Sequence, residues 1–226
     1  MRTHSLLLAL LLSPLLSACH SSQVLEAGNA EEARAREAAS LELATLGELV
    51  PDFTLPTTSG TRVRLADYLG KIVVIEWLNP DCPFTRHNHT SGFLKDYPKQ
   101  ARSEGIVWLG INSASMQKMG GSLEVTRQSI EEWGIEFPVM LDESGNVGRR
   151  FDATTTPEVF LINELGVLVY VGAVDNMPFG KVRGGAEGQN YLARAIAQLK
   201  AGKAVSPSFQ QSYGCRVKYA QPSRVD

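Results

Sequence analysis

The sequence predicts an α/β protein, a central mixed β-sheet with helices on both faces, and three observations lead there. The run Ile72-Val73-Val74-Ile75-Glu76-Trp77-Leu78 is apolar at nearly every position, as a strand buried on both faces must be. Segments of strand and helix character alternate along the chain, then end in two strands joined by a short hairpin and a last helix, an order that mixes parallel and antiparallel pairing. Hydrophobic residues make up 43% and charged residues 20% of the 226 positions, enough for one sizeable core and incompatible with wholesale disorder or a fibrous repeat.

The elements follow in order. Residues 1–18 read as an export signal: Met1-Arg2-Thr3-His4, an apolar run from Leu6 to Leu16, then Ser17-Ala18. The run is too short to cross a bilayer of about 30 Å, which takes about 20 residues. Small residues before Cys19 resemble the lipobox of bacterial lipoproteins, which implies that Cys19 is lipidated and serves as a membrane anchor. His20 follows where an aspartate would signal inner-membrane retention, so the expected location is the outer membrane, facing the periplasm. The alternative is an ordinary secretory signal with Cys19 incidental. Residues 19–46 are Ala/Glu/Arg-rich and read as a tether.

The globular domain is expected over residues 47–203. Val50 to Leu65 forms a hairpin around Thr58-Ser59-Gly60, and the chain turns at Asp67 to Lys71 into the central strand. A helix runs from Phe84 to about Ala101, kinked near Pro98 and closed by Gly105. Ile106 to Ile111 is the next strand. Ser122 caps a second helix carrying Leu123, Ile130 and Trp133 on one side, and Phe137 to Leu141 is a third strand. Glu158 to Ile162 and Val167 to Val171 pair through Asn163-Glu164-Leu165-Gly166. A final helix holds Tyr191, Leu192, Ile196 and Leu199, and residues 204–226 form a tail carrying Cys215.

Composition narrows the partners. A net charge of −2, from 22 Lys+Arg against 24 Asp+Glu, offers no basic surface for a run of phosphates, so nucleic acid is excluded as a partner. With Cys19 taken by lipid, Cys82 and Cys215 are the two thiols left to react, in a compartment that permits disulfides. Cys82 lies where a buried strand gives way to a helix, with Pro83 at the first helical position. A thiolate there faces unpaired backbone N–H groups and the positive end of the helix dipole, which favours the nucleophilic form. Arg86, one turn on, is expected beside the sulfur.

The stretch Ile75 to Thr85, with Cys82-Pro83-Phe84-Thr85 at its end, and the distant Thr156-Pro157-Glu158-Val159-Phe160-Leu161-Ile162 resemble a thioredoxin-fold redoxin. They are similar to the peroxiredoxin-like branch of the alkyl hydroperoxide reductase/thiol-specific antioxidant superfamily, from about Leu49 to Lys203, and the tail Tyr213 to Tyr219 resembles that branch too. The resemblance implies a thioredoxin-like fold and a cis bond at Thr156-Pro157, in a loop that packs on the active cysteine and offers backbone hydrogen bonds to an extended substrate. It also matches Glu76 to the family's buried acid, a residue costly to ionise there and suited to hold and pass a proton. Alternatively Glu76 faces solvent or pairs with a cation. Thr85 stands where a second thioredoxin cysteine, or a peroxidatic cysteine, would be. Local dithiol exchange is therefore ruled out and ordinary peroxidase activity is expected to be weak.

The leading expectation is an exported thiol-dependent oxidoreductase with Cys82 as nucleophile and Cys215 as resolving thiol. It needs no cofactor, takes a thiol or disulfide substrate, protein or small molecule, and is reset by an external thiol reductant. The alternative is a redox-inert or copper-handling binding module with Cys82–Cys215 as a structural disulfide. Cys82, His87 and His89 would be its metal ligands, but their helical spacing does not converge on one ion, and both histidines are expected to be solvated.

Overall fold

The computed structural model describes residues 42–182 and 187–220. The signal, Cys19 and most of the tether lie outside the described residues. None of the described helices is long and apolar enough to cross a membrane.

The predicted hairpin is present as β1 (Thr54–Pro56) and β2 (Arg62–Arg64), with Leu55 opposite Val63. The central strand is β3 (Val73–Trp77), buried at every position. It pairs in parallel with β4 (Val107–Asn112) and antiparallel with β7 (Glu158–Ile162). Strand β5 (Val139–Leu141) extends the sheet beyond β4, and β8 (Leu168–Gly172) beyond β7. A strand from the tail, β9 (Phe209–Gln210), adds in parallel to β8, so the sheet runs β5-β4-β3-β7-β8-β9.

Alternation along β3 feeds two cores, because successive side chains of a strand point to opposite faces. Val73, Ile75 and Trp77 pack with Phe53, Phe151 and Phe160 on one side. Val74 and Leu78 pack with Leu94, Trp108, Leu192 and Ile196 on the other. Helices α3 (Leu123–Trp133) and α5 (Tyr191–Lys200) end where the sequence signals lie. The Ser122 side chain accepts from Val125 N–H at 3.2 Å, and Asn190 accepts from Ala193 N–H at 2.7 Å.

The long helix expected from Phe84 to Ala101 is broken instead. It begins as α1 (Pro83–Thr90), passes through a 3-10 turn at Phe93–Lys95, and resumes as α2 (Tyr97–Ser103). The break comes at Ser91 and Gly92, whose N–H groups both donate to His87 O, and Pro98 sits in the first turn of α2, where proline is tolerated. Three short elements carry no clear periodicity and escape a sequence reading: α4 (Asn146–Arg150), β6 (Thr155–Thr156) and β10 (Cys215–Arg216).

Candidate active site

The site forms at the C-terminal end of β3. Leu78 N–H still donates to Ile111 O, holding the strand to its neighbour, and then the Asn79-Pro80-Asp81 corner turns the chain. Asn79 organises that corner: its side-chain oxygen accepts from Asp81 N–H, its amide donates to Met119 O, and its carbonyl accepts from Cys82 N–H. Cys82 is the N-cap residue of α1 and Pro83 its first helical residue.

The Cys82 sulfur is 1% exposed and donates to Thr156 O at 2.9 Å. The Thr156-Pro157 bond is cis. Cys215 completes the group, because β10 pairs antiparallel with β6 and sets Cys215 directly opposite Thr156. Cys82 and Cys215 line one small cleft of about 160 Å³ with Asn79, Met119 and Lys218.

The two thiols are driven apart in acidity. Burial pushes the Cys82 thiol up, but hydrogen bonds to its sulfur from Cys215, from Thr156 and from the N–H and hydroxyl of Thr85 outweigh burial and hold it below its ordinary value. The bond to the Thr156 carbonyl is open only to the protonated thiol; the hydroxyls and the Thr85 N–H serve the thiolate. Cys215 moves the other way, pushed up to about 12 by burial, by the hydrogen bond it donates to Cys82 and by repulsion from that thiolate, against the pull of Lys218. Cys82 is thus the more acidic thiol of the pair and Cys215 the one that holds its proton longer.

Two expectations need correction. Arg86 does not lie against the sulfur: it is exposed and reaches Glu132 at 3.6 Å, because a long side chain at an exposed position follows its ion-pair partner. His89 is not solvated. It is 2% exposed, with Nε2 at 2.7 Å from Glu76 Oε1, and its ring stacks on Trp133 at 5.7 Å. Thr85 and His89 lie one turn apart on the face of α1 turned to the sheet, and a buried acid there recruits the imidazole. Glu76, fully buried, is thereby engaged on both oxygens, the second accepting from Trp108 Nε1 at 3.1 Å. Of the readings open for it, pairing with a cation-forming side chain is the one observed.

Cys82, His87 and His89 also do not come together. His87 is half-buried, near Ser91 Oγ and the Phe179 ring, while His89 faces Glu76.

The tail is held by residues that sequence reasoning missed. Glu158, buried immediately after the cis bond, accepts from Thr154 N–H at 2.8 Å and from Ser212 Oγ at 2.7 Å, fastening the loop and the tail together. Burial keeps its carboxyl above the usual range, against these bonds. Asp175 accepts from the Tyr213 hydroxyl at 2.6 Å, and the Tyr213 ring lies 5.8 Å from Phe84 at the start of α1. A carboxylate interrupting the apolar strand Glu158-Val159-Phe160-Leu161-Ile162 was the one available signal.

Comparison with known proteins agrees with this geometry. The model of the AhpC/TSA family matches residues 46–171. The thiol-disulfide oxidoreductase ResA of Bacillus subtilis (strain 168) is 28% identical over 125 residues, covering 55% of this chain and 65% of its own length. A selenocysteine-containing peroxiredoxin, PrxU, of Peptoclostridium acidaminophilum is 29% identical over 113 residues, covering 48% of this chain and 55% of its own. The chain thus spans less than two thirds of either relative. The putative peroxiredoxin bcp of Coxiella burnetii is 30% identical over 132 residues and covered over 84% of its length. A crystal structure of an uncharacterized conserved protein from Geobacillus kaustophilus superposes with a TM-score of 0.71 at 26% identity, over 80% of this chain and 95% of that one. Cys82 and the Thr156-Pro157 loop fall inside the matched family region and Cys215 beyond it, and the chain belongs to the AhpC/TSA family, with the thioredoxin-like fold of a redoxin.

Proposed function

We propose that the protein is an exported, lipid-anchored thiol–disulfide oxidoreductase in which Cys82 attacks and Cys215 resolves. The observation that carries this reading is that β10 sets Cys215 directly opposite Thr156, whose carbonyl accepts from the Cys82 thiol, so that both thiols line one cleft beside the cis Thr156-Pro157 bond.

In the forward direction the Cys82 thiolate attacks one sulfur of a substrate disulfide. A bond forms to Cys82, the substrate S–S bond breaks, and one substrate thiolate leaves. Cys215 then gives up its proton to that leaving group and attacks the Cys82 sulfur, releasing the second substrate sulfur as a thiolate that takes its proton from solvent. The substrate disulfide is reduced to two thiols, and Cys82 and Cys215 are oxidised to a disulfide that an external thiol must reduce. Thr85 and Thr156 keep the attacking sulfur anionic. The buried Glu76–His89 hydrogen bond ties the helix that carries Cys82 to the central strand. Export and the lipid anchor rest on Met1 to Cys19.

The test is adduct trapping. The Cys215→Ser protein, challenged with a disulfide, should accumulate a mixed disulfide on Cys82, and Cys82→Ser should accumulate none. If Cys215→Ser turned over as fast as the unaltered chain, the resolving role would be lost.

A further inference from the structure

We infer that the C-terminal strand β10 fills the edge of the cis-proline loop on which an extended polypeptide would pair, so that the site takes low-molecular-weight disulfides and turns polypeptide disulfides away while the tail is docked. This rests on the thiol–disulfide reading above and names its substrate class.

An extended peptide adds to a protein edge by pairing with free N–H and C=O groups. At Thr154-Thr155-Thr156 those groups are engaged. Thr155 and Thr156 pair with Arg216 and Cys215, and Val217 N–H donates to Thr154 O at 3.0 Å. The approach is close enough that only glycine fits at position 214: a Cβ there would meet Thr156 O at 2.1 Å, and its φ of +145° is one that side-chain-bearing residues rarely adopt.

Docking is secured on both sides of this pairing. Ser212 and Tyr213 are tied to Glu158 and Asp175, Ser115 N–H donates to Lys218 O at 2.9 Å, and the Tyr219 hydroxyl donates to Ala153 O at 2.7 Å. What remains is the cleft of about 160 Å³, with the attacking sulfur 1% exposed at its floor. A small disulfide can bring one sulfur into such a cleft. A disulfide flanked by extended backbone on both sides must first displace β10.

The experiment presents one reacting bond in two settings: 2-hydroxyethyl disulfide, and a ten-residue extended peptide whose central cysteine is joined to 2-mercaptoethanol. Adduct formation on Cys82 is followed by mass in Cys215→Ser, with the tail docked, and in Cys215→Ser combined with Gly214→Val, with the tail displaced. Release is verified by faster amide exchange at Val217. If Gly214→Val does not fold, Ser212→Ala with Tyr213→Phe replaces it.

With the tail docked, the small disulfide should react at least about tenfold faster than the peptide, the factor that losing one net backbone hydrogen bond produces. Displacing the tail should raise the peptide rate about tenfold and change the small-disulfide rate less than about threefold. Equal rates with the tail docked, or a peptide rate unmoved by its release, would overturn the inference. Failure of both probes to label Cys82 in every variant would overturn the thiol–disulfide reading itself.

Discussion

A thiol at 1% exposure would ordinarily ionise late, and Cys82 is the reverse case because hydrogen bonding from Cys215, Thr156 and Thr85 outweighs burial. Iodoacetamide labelling of Cys82 should therefore show a midpoint below 9, its ordinary value. Thr85→Val and Cys215→Ser should each raise that midpoint, and Arg86→Ala should leave it in place; a drop in reactivity with Arg86→Ala alone would restore the arginine to the site. The same shifts predict how the stability of the reduced chain varies with pH. Between the Cys82 midpoint and 9 the unfolded chain holds a proton that the folded one has lost, so stability rises with pH; from 9 to about 12 the folded chain keeps the Cys215 proton that the unfolded one loses, so stability falls. Denaturant midpoints measured across this range check both slopes. Hydrogen peroxide should be consumed slowly, because the resemblance sets Thr85 where a peroxidatic cysteine would be; rates like those of dedicated peroxidases in a coupled assay would contradict this.

At the scale of elements, α1 is fixed to the sheet through the buried hydrogen bond between His89 and Glu76 rather than an apolar stripe. Its sequence, Pro83-Phe84-Thr85-Arg86-His87-Asn88-His89-Thr90, is polar nearly all round, which is why the inward turn of His89 was not legible. Removing one partner of such a pair leaves a charge or donor uncompensated, so His89→Leu should cost about 3–5 kcal/mol, and adding Glu76→Gln should recover part of it. Simple additivity of the two losses would show that the pair is not coupled. Strand β3, the Ser122 cap and the Asn163 to Gly166 hairpin were legible because their signals are local: apolar continuity, a capping hydroxyl, a turn. Strands β9 and β10, two residues each, were not, because only the distant loop and strand they pair with define them. Arg86 was misread for a related reason: helical spacing locates a Cα, while a long exposed side chain goes to its partner, here Glu132.

Across the whole molecule, the sequence placed Cys82 correctly at the strand-to-helix corner and left Cys215 defined only as the remaining thiol. Its position opposite Thr156 depends on a tail running from β9 past Glu158 and Asp175, contacts between segments more than 30 residues apart. A disulfide between Cys82 and Cys215 would close a loop of well over 100 residues, worth on the order of 5 kcal/mol in the chain-entropy model. Oxidation should accordingly raise the melting temperature by on the order of 10 °C, read by calorimetry on oxidised and reduced protein. That gain would attend a catalytic pair and a structural staple alike, whereas reversibility separates them. The decisive measurement is alkylation and mass mapping of Cys82 and Cys215 in the purified chain after mild oxidation and again after titration with a thiol redox buffer. The account predicts a Cys82–Cys215 bond that forms on oxidation and opens at a potential above about −300 mV, the range of exchangeable rather than structural disulfides. Two free thiols after oxidation, Cys82 joined only to other molecules, or a bond that resists reduction below that potential would contradict it.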